Sequence, residues 1–313
     1  MKKHSISQID GKFYLNEHQF FNVDKSKLKG YLSQIKFPAI VIDTEFFNHS
    51  HDRSNNDFNQ LYNDERKDVV TVFQYSFISN LKEITTRDNT KSIKSVSLKR
   101  GYNDSKYDFE LQYEKMVKSF LSNCIKKRIR TMIVAGGTND NKIIRDWAAK
   151  YHTLFKNKKI DLFKFNSKNQ LPELNSFDIY PPLEQSISFS NYDKDGREFY
   201  VKNYLKPGQF GEDTIALPGL KKFFDYMKEI NEYNFDEEKD VYELSCSALK
   251  FYSYKTCSLN EYKELNKDIK LIRQHCYNDV LKILLLIDFL YSFSFLPYKD
   301  NKYVNTNSSK SIL

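Results

Sequence analysis

The segment FPAIVIDTEFF, Phe37 to Phe47, constrains the fold of this chain more than any other stretch. Its uninterrupted apolar run from Ala39 to Ile42 predicts a central strand that is covered on both faces. The run ends in Asp43 and Glu45, which lie two residues apart and therefore point to the same face of a strand. Neighbouring carboxylates repel each other unless a cation lies between them, and Mg²⁺ and Mn²⁺ prefer such oxygen ligands. The segment therefore predicts either a metal site at the end of a buried strand or, as an isolated motif, two solvated acids.

The segments that follow this strand alternate in a way that is typical of an α/β domain. Runs of β-branched and aromatic residues predict strands, and apolar residues at helical spacing predict helices. The predicted elements are strands over 69–79 and 93–98, a helix over 108–128, a strand over 131–135, and a helix that opens at Asn139 or Asp140. The first three strands make an antiparallel meander, and the whole order predicts a mixed sheet with helices.

Regions before and after this core predict further elements. The Asp10-Gly11 dipeptide between apolar residues predicts a β-hairpin within 8–22. The remaining predictions are a helix over 25–35, short strands within 162–190, a second hairpin within 191–211, and helices over 217–230, 241–252 and from about Asp268 to near Phe293. We therefore predict an N-terminal hairpin and helix extension (1–36), a main domain (37–297) and a disordered polar tail (298–313).

The charge and composition suit a nucleic-acid partner. The net charge is +8, from 49 basic and 41 acidic residues. Most of the 22 Tyr and 25 Phe are expected in the core, and exposed ones could stack on unpaired bases. The longest apolar run, Ile283 to Leu290, is too short to cross a membrane and contains Asp288. The start, MKKHSISQIDGK, lacks the apolar part of a signal peptide, and the four cysteines form no CxxC pair. We therefore expect no membrane association and a reduced, cytoplasmic setting.

The last predicted helix carries a second pair of polar residues. His275 and Asp279 are four residues apart, so that a helix places them one turn apart on a single face. Leu271, Cys276 and Val280 give this segment an apolar character, which predicts a mostly buried helix. By itself a His and an Asp at this spacing are typical of a surface ion pair.

Taken together, the acids occur in the order Asp43-x-Glu45, then Asp140, then Asp279, and this order resembles the DEDD exonuclease superfamily. VIDTEF resembles its first motif, GGTNDNKII its second and HCYNDV its third. The resemblance spans roughly residues 37–290 and implies a ribonuclease H-like mixed five-stranded sheet flanked by helices, with an N-terminal hairpin and insertions. The third motif departs from the family, in which one subgroup has Tyr four residues before the last Asp and another has His five residues before it.

The resemblance also implies an activity. Asp43, Glu45, Asp140 and Asp279 would bind two Mg²⁺ or Mn²⁺ ions, with Asp43 bridging them, and His275 would accept a proton from the attacking water. The implied reaction is 3′ to 5′ exonucleolysis of RNA or DNA, with a single-stranded 3′ end as the expected substrate. Because His275 stands one position away from the family's spacing, its side chain is rotated by about 100° around the helix, and its reach to the water is an open question.

Several alternatives stay open at the level of sequence. Asp146 and Asp178 are rivals of Asp140 for the third acid, although Asp146 lies further down the helix and Asp178 suits a structural strand end. The polar loop 48–68, with His49, His51, Arg53 and Arg66, either clasps a substrate or is simply solvated. The competing functions are a catalytically weak or inactive nucleic-acid-binding module on a nuclease fold and a metal-dependent endonuclease.

Overall fold

The computed structural model describes residues 2–48, 68–104, 106–158, 160–165, 171–202, 215–216, 219–235, 239–253 and 257–305. The strands are β1 (Ile6–Ile9), β2 (Lys12–Tyr14), β3 (Gln19–Val23), β4 (Ala39–Asn48), β5 (Asp68–Ile78), β6 (Lys94–Ser97), β7 (Thr131–Val134), β8 (Phe163–Lys164), β9 (Glu173–Leu174), β10 (Ser176–Asp178), β11 (Ile187–Tyr192), β12 (Glu198–Lys202), β13 (Ile215–Ala216) and β14 (Val304–Asn305). The α-helices are α1 (Lys25–Leu32), α2 (Leu81–Thr86), α3 (Asn89–Ser92), α4 (Phe109–Lys126), α5 (Thr138–Lys150), α6 (Tyr180–Ser186), α7 (Gly219–Tyr226), α8 (Val241–Ser253) and α9 (Leu259–Phe295). Of the polar loop 48–68 considered above as a substrate clasp, residues 49–67 lie outside the described residues.

A mixed sheet forms the centre of the molecule, with the strand order β10-β7-β4-β5-β6 within the described residues. Strand β5 runs antiparallel to both β4 and β6, whereas β4, β7 and β10 run parallel to one another. The predicted α/β class, with a mixed five-stranded sheet flanked by helices, is therefore confirmed.

Strand β4 is central because its apolar residues are buried on both faces. Ala39 and Val41 belong to a hydrophobic cluster with α1, α6 and the C-terminal half of α9. Ile40 and Ile42 face the opposite way and pack in a second cluster with α4 and α5. Full burial of an aliphatic side chain of this size stabilises the fold by about 1.5–3 kcal/mol. The sheet thus lies between two helical layers, which leaves the C-terminal end of β4 as the position where polar side chains emerge.

The N-terminal residues form part of a second sheet, with the order β13-β12-β11-β3-β2-β1-β14 within the described residues. The predicted turn at Asp10-Gly11 joins β1 and β2, and both residues have the positive φ that a tight hairpin requires. The N-terminal hairpin is more than an isolated extension, because β3 pairs with β11 from the middle of the chain. Aromatic rings of Phe13 and Phe21 pack against Phe293 and hold this sheet on α9.

The predicted disordered tail is wrong for residues 298–305. A short 3₁₀ helix at Tyr298–Asp300 is followed by β14, which pairs in parallel with β1. Tyr303 and Val304 are buried, and the Tyr303 hydroxyl donates a hydrogen bond to Asp288. The polar composition of the segment hid these two anchoring residues. Residues 306–313 lie outside the described part of the chain.

Two further element boundaries differ from the prediction. Helix α9 begins at Leu259, nine residues before the predicted start, because Ser258 caps it by accepting a hydrogen bond from the Glu261 N–H. The predicted cap, Asp268, lies inside the helix and pairs with Lys239. Residues 180–186 form α6 instead of a short strand, with prolines in its first turn.

The second hairpin is present as β11 and β12, but the end of its predicted range, residues 203–211, lies outside the described residues. No helix of the described residues combines the length and apolar character needed to cross a membrane.

Candidate metal centre

The acidic end of β4 presents side chains to both helical layers. Asp43 and Glu45 lie on the side of α9, where the Glu45 carboxylate is 3.5 Å from His275. Thr44 points to the opposite side, where its Oγ1 donates a 2.6 Å hydrogen bond to Oδ1 of Asp140. Directly after Glu45 the pairing with β5 shifts register, which marks a β-bulge at the end of the motif. The strand therefore contacts residues from two different helices within three consecutive positions.

Helix α9 is fixed against the sheet by hydrogen bonds close to the motif. The thiol of Cys276 donates to the backbone carbonyl of Asp43 at 3.4 Å, and the Gln74 side chain of β5 donates to the backbone carbonyl of Arg273 at 2.6 Å. These contacts orient the neighbouring His275 toward the end of β4. Its Nε2 lies 3.5 Å from Oε1 of Glu45 and 3.6 Å from Oδ2 of Asp279.

The second oxygen of Asp279 is held by a lysine from the next helical turn. The ammonium of Lys282 lies 2.8 Å from Oδ1 of Asp279, and its side chain is only 5% exposed. The same ammonium lies 5.2 Å from the centre of the Phe235 ring. Because the lysine is buried and paired, it restricts the rotation of the Asp279 carboxylate and leaves Oδ2 directed at His275.

Asp140 is placed in the first turn of α5 by the glycine pair that ends β7. Gly136 has a φ of +65°, which favours glycine. A Cβ atom on Gly137 would come within 2.3 Å of the Val134 side chain, so the turn from strand to helix is open only to glycine. The tight turn brings the start of α5 beside β4, where the Thr44 hydroxyl orients the Asp140 carboxylate.

The four acids influence one another electrostatically. Burial raises the pKa of Asp43 well above its ordinary value, and the charges of Glu45, Asp140 and Asp279 raise it further. Burial also raises the pKa of Asp140, against the effect of the Thr44 hydrogen bond and with a contribution from Asp279. The predicted acids from β4, α5 and α9 are thus close enough for their charges to act on Asp43, while His275 lies beside Glu45 and Asp279.

The two rivals of Asp140 lie in different settings. Asp146 is exposed, six residues further along α5. Asp178 is the last residue of the parallel edge strand β10, and its Oδ1 accepts hydrogen bonds from the backbone N–H groups of Gly136 and Tyr180, each at 3.0 Å. These contacts give Asp178 a structural role in the turns after β7 and β10.

The prediction from sequence did not include three residues that lie at this site. Thr44 and Lys282 orient two of the acids, and Tyr180 lies beside them. The pKa of Tyr180 is raised to about 12, mainly by burial and in part by the charges of nearby aspartates, and its hydroxyl accepts the Leu220 N–H. Lys282 had a local signal, because a lysine three residues after an aspartate on a helix predicts an ion pair.

The donor atoms fit a divalent cation. Among the described residues, the ligand atoms of Asp43, Glu45 and Cys276 lie within 4.8 Å of one another, and so do those of Glu45, His275 and Asp279. Glu45 belongs to both groups, while Asp140 belongs to neither and borders them through Thr44. Carboxylate oxygens with one imidazole nitrogen are ligands that Mn²⁺ and related ions accept.

Comparison with known proteins adds no constraint, because no protein-family model and no curated protein matches the chain. A function for this chain therefore has to follow from the chemistry of its own site.

Proposed function

We propose that this chain is a metal-dependent 3′–5′ exonuclease with a ribonuclease H-like fold. The observation that carries the proposal is the meeting of Asp43, Glu45, Asp140 and Asp279, from three separate elements, at the end of the central strand. The charges of the other three acids raise the pKa of Asp43 instead of compensating its charge. Bringing several carboxylates close together in a buried setting is costly for folding alone, because like charges repel each other and burial disfavours the charged form, and it suits a site that is completed by cations.

The position of the motifs in the fold supports the proposal. The first motif ends the central strand β4, the second follows the neighbouring parallel strand β7, and the third lies on α9, which packs against β4 and β5. This is the arrangement that the resemblance to the DEDD superfamily implies. The 3′–5′ direction and the preference for a single-stranded end come from that resemblance.

The chemistry of hydrolysis divides between bound ions and the chain. Divalent ions, when bound, would polarise the attacking water and stabilise the leaving oxygen of the phosphodiester. Asp43, Glu45, Asp140 and Asp279 would hold them. Thr44 and Lys282 keep two of these carboxylates oriented, so that less reorganisation is needed on binding. Since the cluster is anionic, we expect nucleic acid to approach it only when cations are present.

A second candidate function has one observation in its favour. Lys282 already engages one oxygen of Asp279, which removes part of the negative charge available to a second ion. A nucleic-acid-binding module with weak or absent catalysis would tolerate this pairing. It would still bind nucleic acid through the positive charge of the chain.

Digestion of single-stranded RNA and DNA labelled at the 5′ end, with Mn²⁺ or Mg²⁺, tests the proposal. A ladder that shortens from the 3′ end supports exonucleolysis, internal cuts show an endonuclease, and binding without cleavage shows the module. Asp140→Asn should abolish the ladder, whereas the matched variant on the same helix, Asp146→Asn, should retain it because Asp146 is exposed and lies six residues further along α5. Equal activity of the parent protein and Asp43→Asn would contradict the proposal.

A further inference from the structure

His275 projects from α9 into the acidic cluster with its Nε2 between two carboxylates. We propose that His275 is a metal ligand, and that Glu45, His275 and Asp279 bind a transition-metal dication such as Mn²⁺, Co²⁺ or Zn²⁺ in preference to Mg²⁺. The inference deepens the proposed function and rests on it for the reaction that the ion serves. It replaces the proton-accepting role that the resemblance implies for His275.

The distances around Nε2 match shared coordination of one ion. Oε1 of Glu45 lies 3.5 Å away and Oδ2 of Asp279 lies 3.6 Å away, both longer than an ordinary N–H···O hydrogen bond. Two ligand atoms that are each about 2.1 Å from a common ion, and separated by this distance, subtend an angle of about 115°, close to tetrahedral. Together with the Glu45 and Asp279 oxygens, which lie within 4.8 Å of each other, Nε2 belongs to a group of donor atoms that could hold one ion.

The helix and its lysine hold two of the three ligands in this orientation. His275 and Asp279 are four residues apart, so that α9 presents both from one face on consecutive turns. Lys282 binds Oδ1 of Asp279 and so leaves Oδ2 for the ion. A buried partner that orients a ligand in this way is typical of protein metal sites. Lys282 is thus a positioning residue, and the exposed fraction of the His275 side chain, 15%, shows that the site is largely shielded from solvent.

The donor set selects the class of ion. An imidazole nitrogen is a good ligand for first-row transition metals, whereas Mg²⁺ prefers oxygen ligands and keeps several of its waters. Glu45 also shares the second group of candidate ligands, with Asp43 and the thiol of Cys276.

In this role, His275 has its Nε2 directed at the ion. The proton of the attacking water then has to leave by another route, such as bulk solvent or a carboxylate of the cluster. This accounts for the spacing of the third motif, because the histidine stands one position away from where the family places its base.

X-ray absorption at the zinc edge tests the ligand directly, with tag-free protein loaded with one equivalent of Zn²⁺. The parent protein should show the outer-shell scattering of a coordinated imidazole, and His275→Gln should lose it. His152→Gln, which replaces an exposed histidine, is the matched control and should retain it. In a competition titration, His275→Gln should weaken Zn²⁺ binding at least about 10-fold, the loss that removal of even a ligand's hydrogen-bonding partner produces. Mg²⁺ binding should not change.

A second variant tests the inference even if His275→Gln fails to fold. It keeps His275 as the sole histidine by replacing the other five with glutamine, namely His4, His18, His49, His51 and His152. Imidazole scattering in this variant supports the inference, and a shell of oxygen ligands alone overturns it.

The same samples separate the inference from the proposed function. Cleavage by a protein whose ion has only oxygen ligands overturns the role of His275 but leaves the nuclease standing. Imidazole coordination without cleavage supports the metal site and contradicts the nuclease. Absence of any bound ion overturns both.

Discussion

Helix α9 carries two inward-facing aspartates, Asp279 and Asp288, in environments of opposite character. Asp288 is almost fully buried, 2.6 Å from the ammonium of Lys302, and it accepts a hydrogen bond from the Tyr303 hydroxyl. Asp279 also has a lysine, at 2.8 Å, but it lies in the same electrostatic environment as further carboxylates from β4 and α5. Nine residues of one helix thus separate a closed ion pair from a crowded acidic cluster.

The difference lies in how the neighbours act on each carboxylate. Burial raises the pKa of Asp288, while Lys302 and Tyr303 lower it. At the cluster, burial raises the pKa of Asp43 and the charges of the surrounding carboxylates raise it further. A buried acid whose neighbours compensate it is explained by the fold, because it fastens the C-terminal segment to the helix. When the neighbours of a buried carboxylate instead raise the free-energy cost of its ionisation, the fold alone does not explain it, and a bound cation is the simplest explanation.

The largest expected effect is on cleavage, and it tests whether the two acidic regions differ in function. Asp43→Asn should reduce metal-dependent cleavage by on the order of 10³-fold or more, because it removes a ligand from the reacting centre. Asp288→Asn is the matched change at the closed pair and should leave the rate of the folded protein unchanged. Initial rates on an end-labelled strand, measured well below the unfolding temperature of each variant, provide the comparison. Similar losses in both variants would remove the distinction between the two regions.

The next effect is on stability, where we expect the change at the Asp288 pair to matter more than the change at Asp43. Asp288→Ala should lower the free energy of unfolding by about 3–5 kcal/mol, because it leaves Lys302 without its buried partner. Replacing both partners, with Asp288→Leu and Lys302→Met, should recover much of this loss. Denaturant unfolding by circular dichroism measures all three proteins. A double variant no more stable than Asp288→Ala would show that the pair is needed for more than charge compensation.

The two regions also differ in how far the sequence alone could reveal them. The acidic end of β4 was predictable because its signals are local: an apolar run, a two-residue spacing and a strand that ends in acid. The contacts of Lys302 and Tyr303 with Asp288 were not predictable, because the polar composition of the C-terminal segment predicts disorder. Its two-residue strand, β14, exists only through pairing with β1 at the other end of the chain.

Within the candidate site the same division between local and long-range signals holds. The spacing of His275 and Asp279 predicted their common face on α9, and the structure places them there. Thr44 stands between the two acids of the first motif, so strand alternation already directs it to the other face. Its partner Asp140, 96 residues later, could be identified only once the sheet was assembled.

Metal binding should give a smaller shift in stability, confined to the acidic cluster. With Mn²⁺ at 100 times its dissociation constant, the native state should gain about 2.7 kcal/mol, which raises the unfolding temperature. Asp43→Asn should lose most of this gain because it removes a candidate ligand. Lys302→Met, which opens the closed pair instead, should retain it. Differential scanning calorimetry with and without Mn²⁺ measures both, and an equal gain in Asp43→Asn would show that Asp43 is not a ligand of the bound ion.

The smallest expected effect is on the pH dependence of stability, and it separates the acidic cluster from the Asp288 pair most clearly. Asp43 has an ordinary pKa of 3.8 and a raised value in the native state. Its contribution to stability is therefore fully present below pH 3.8 and is lost as the pH rises through the native value. The charges of Glu45, Asp140 and Asp279 raise the pKa of Asp43, and a hydrogen bond from Cys276 lowers it. Without metal, the parent protein should gain stability relative to Asp43→Asn as the pH is lowered from 7 towards 5.

With saturating Mn²⁺ the sign of this difference should reverse. Cations bind the ionised carboxylates, so protonation then competes with binding, and acidification should destabilise the parent protein relative to Asp43→Asn. The pKa of Asp288 is also raised, but Lys302 already occupies that carboxylate, and Mn²⁺ should leave its pH dependence unchanged. Unfolding temperatures of the parent protein, Asp43→Asn and Asp288→Asn between pH 5 and pH 7 measure the effect. A pH dependence of the parent protein that is the same with and without Mn²⁺ would show that the crowded acids do not hold the ion.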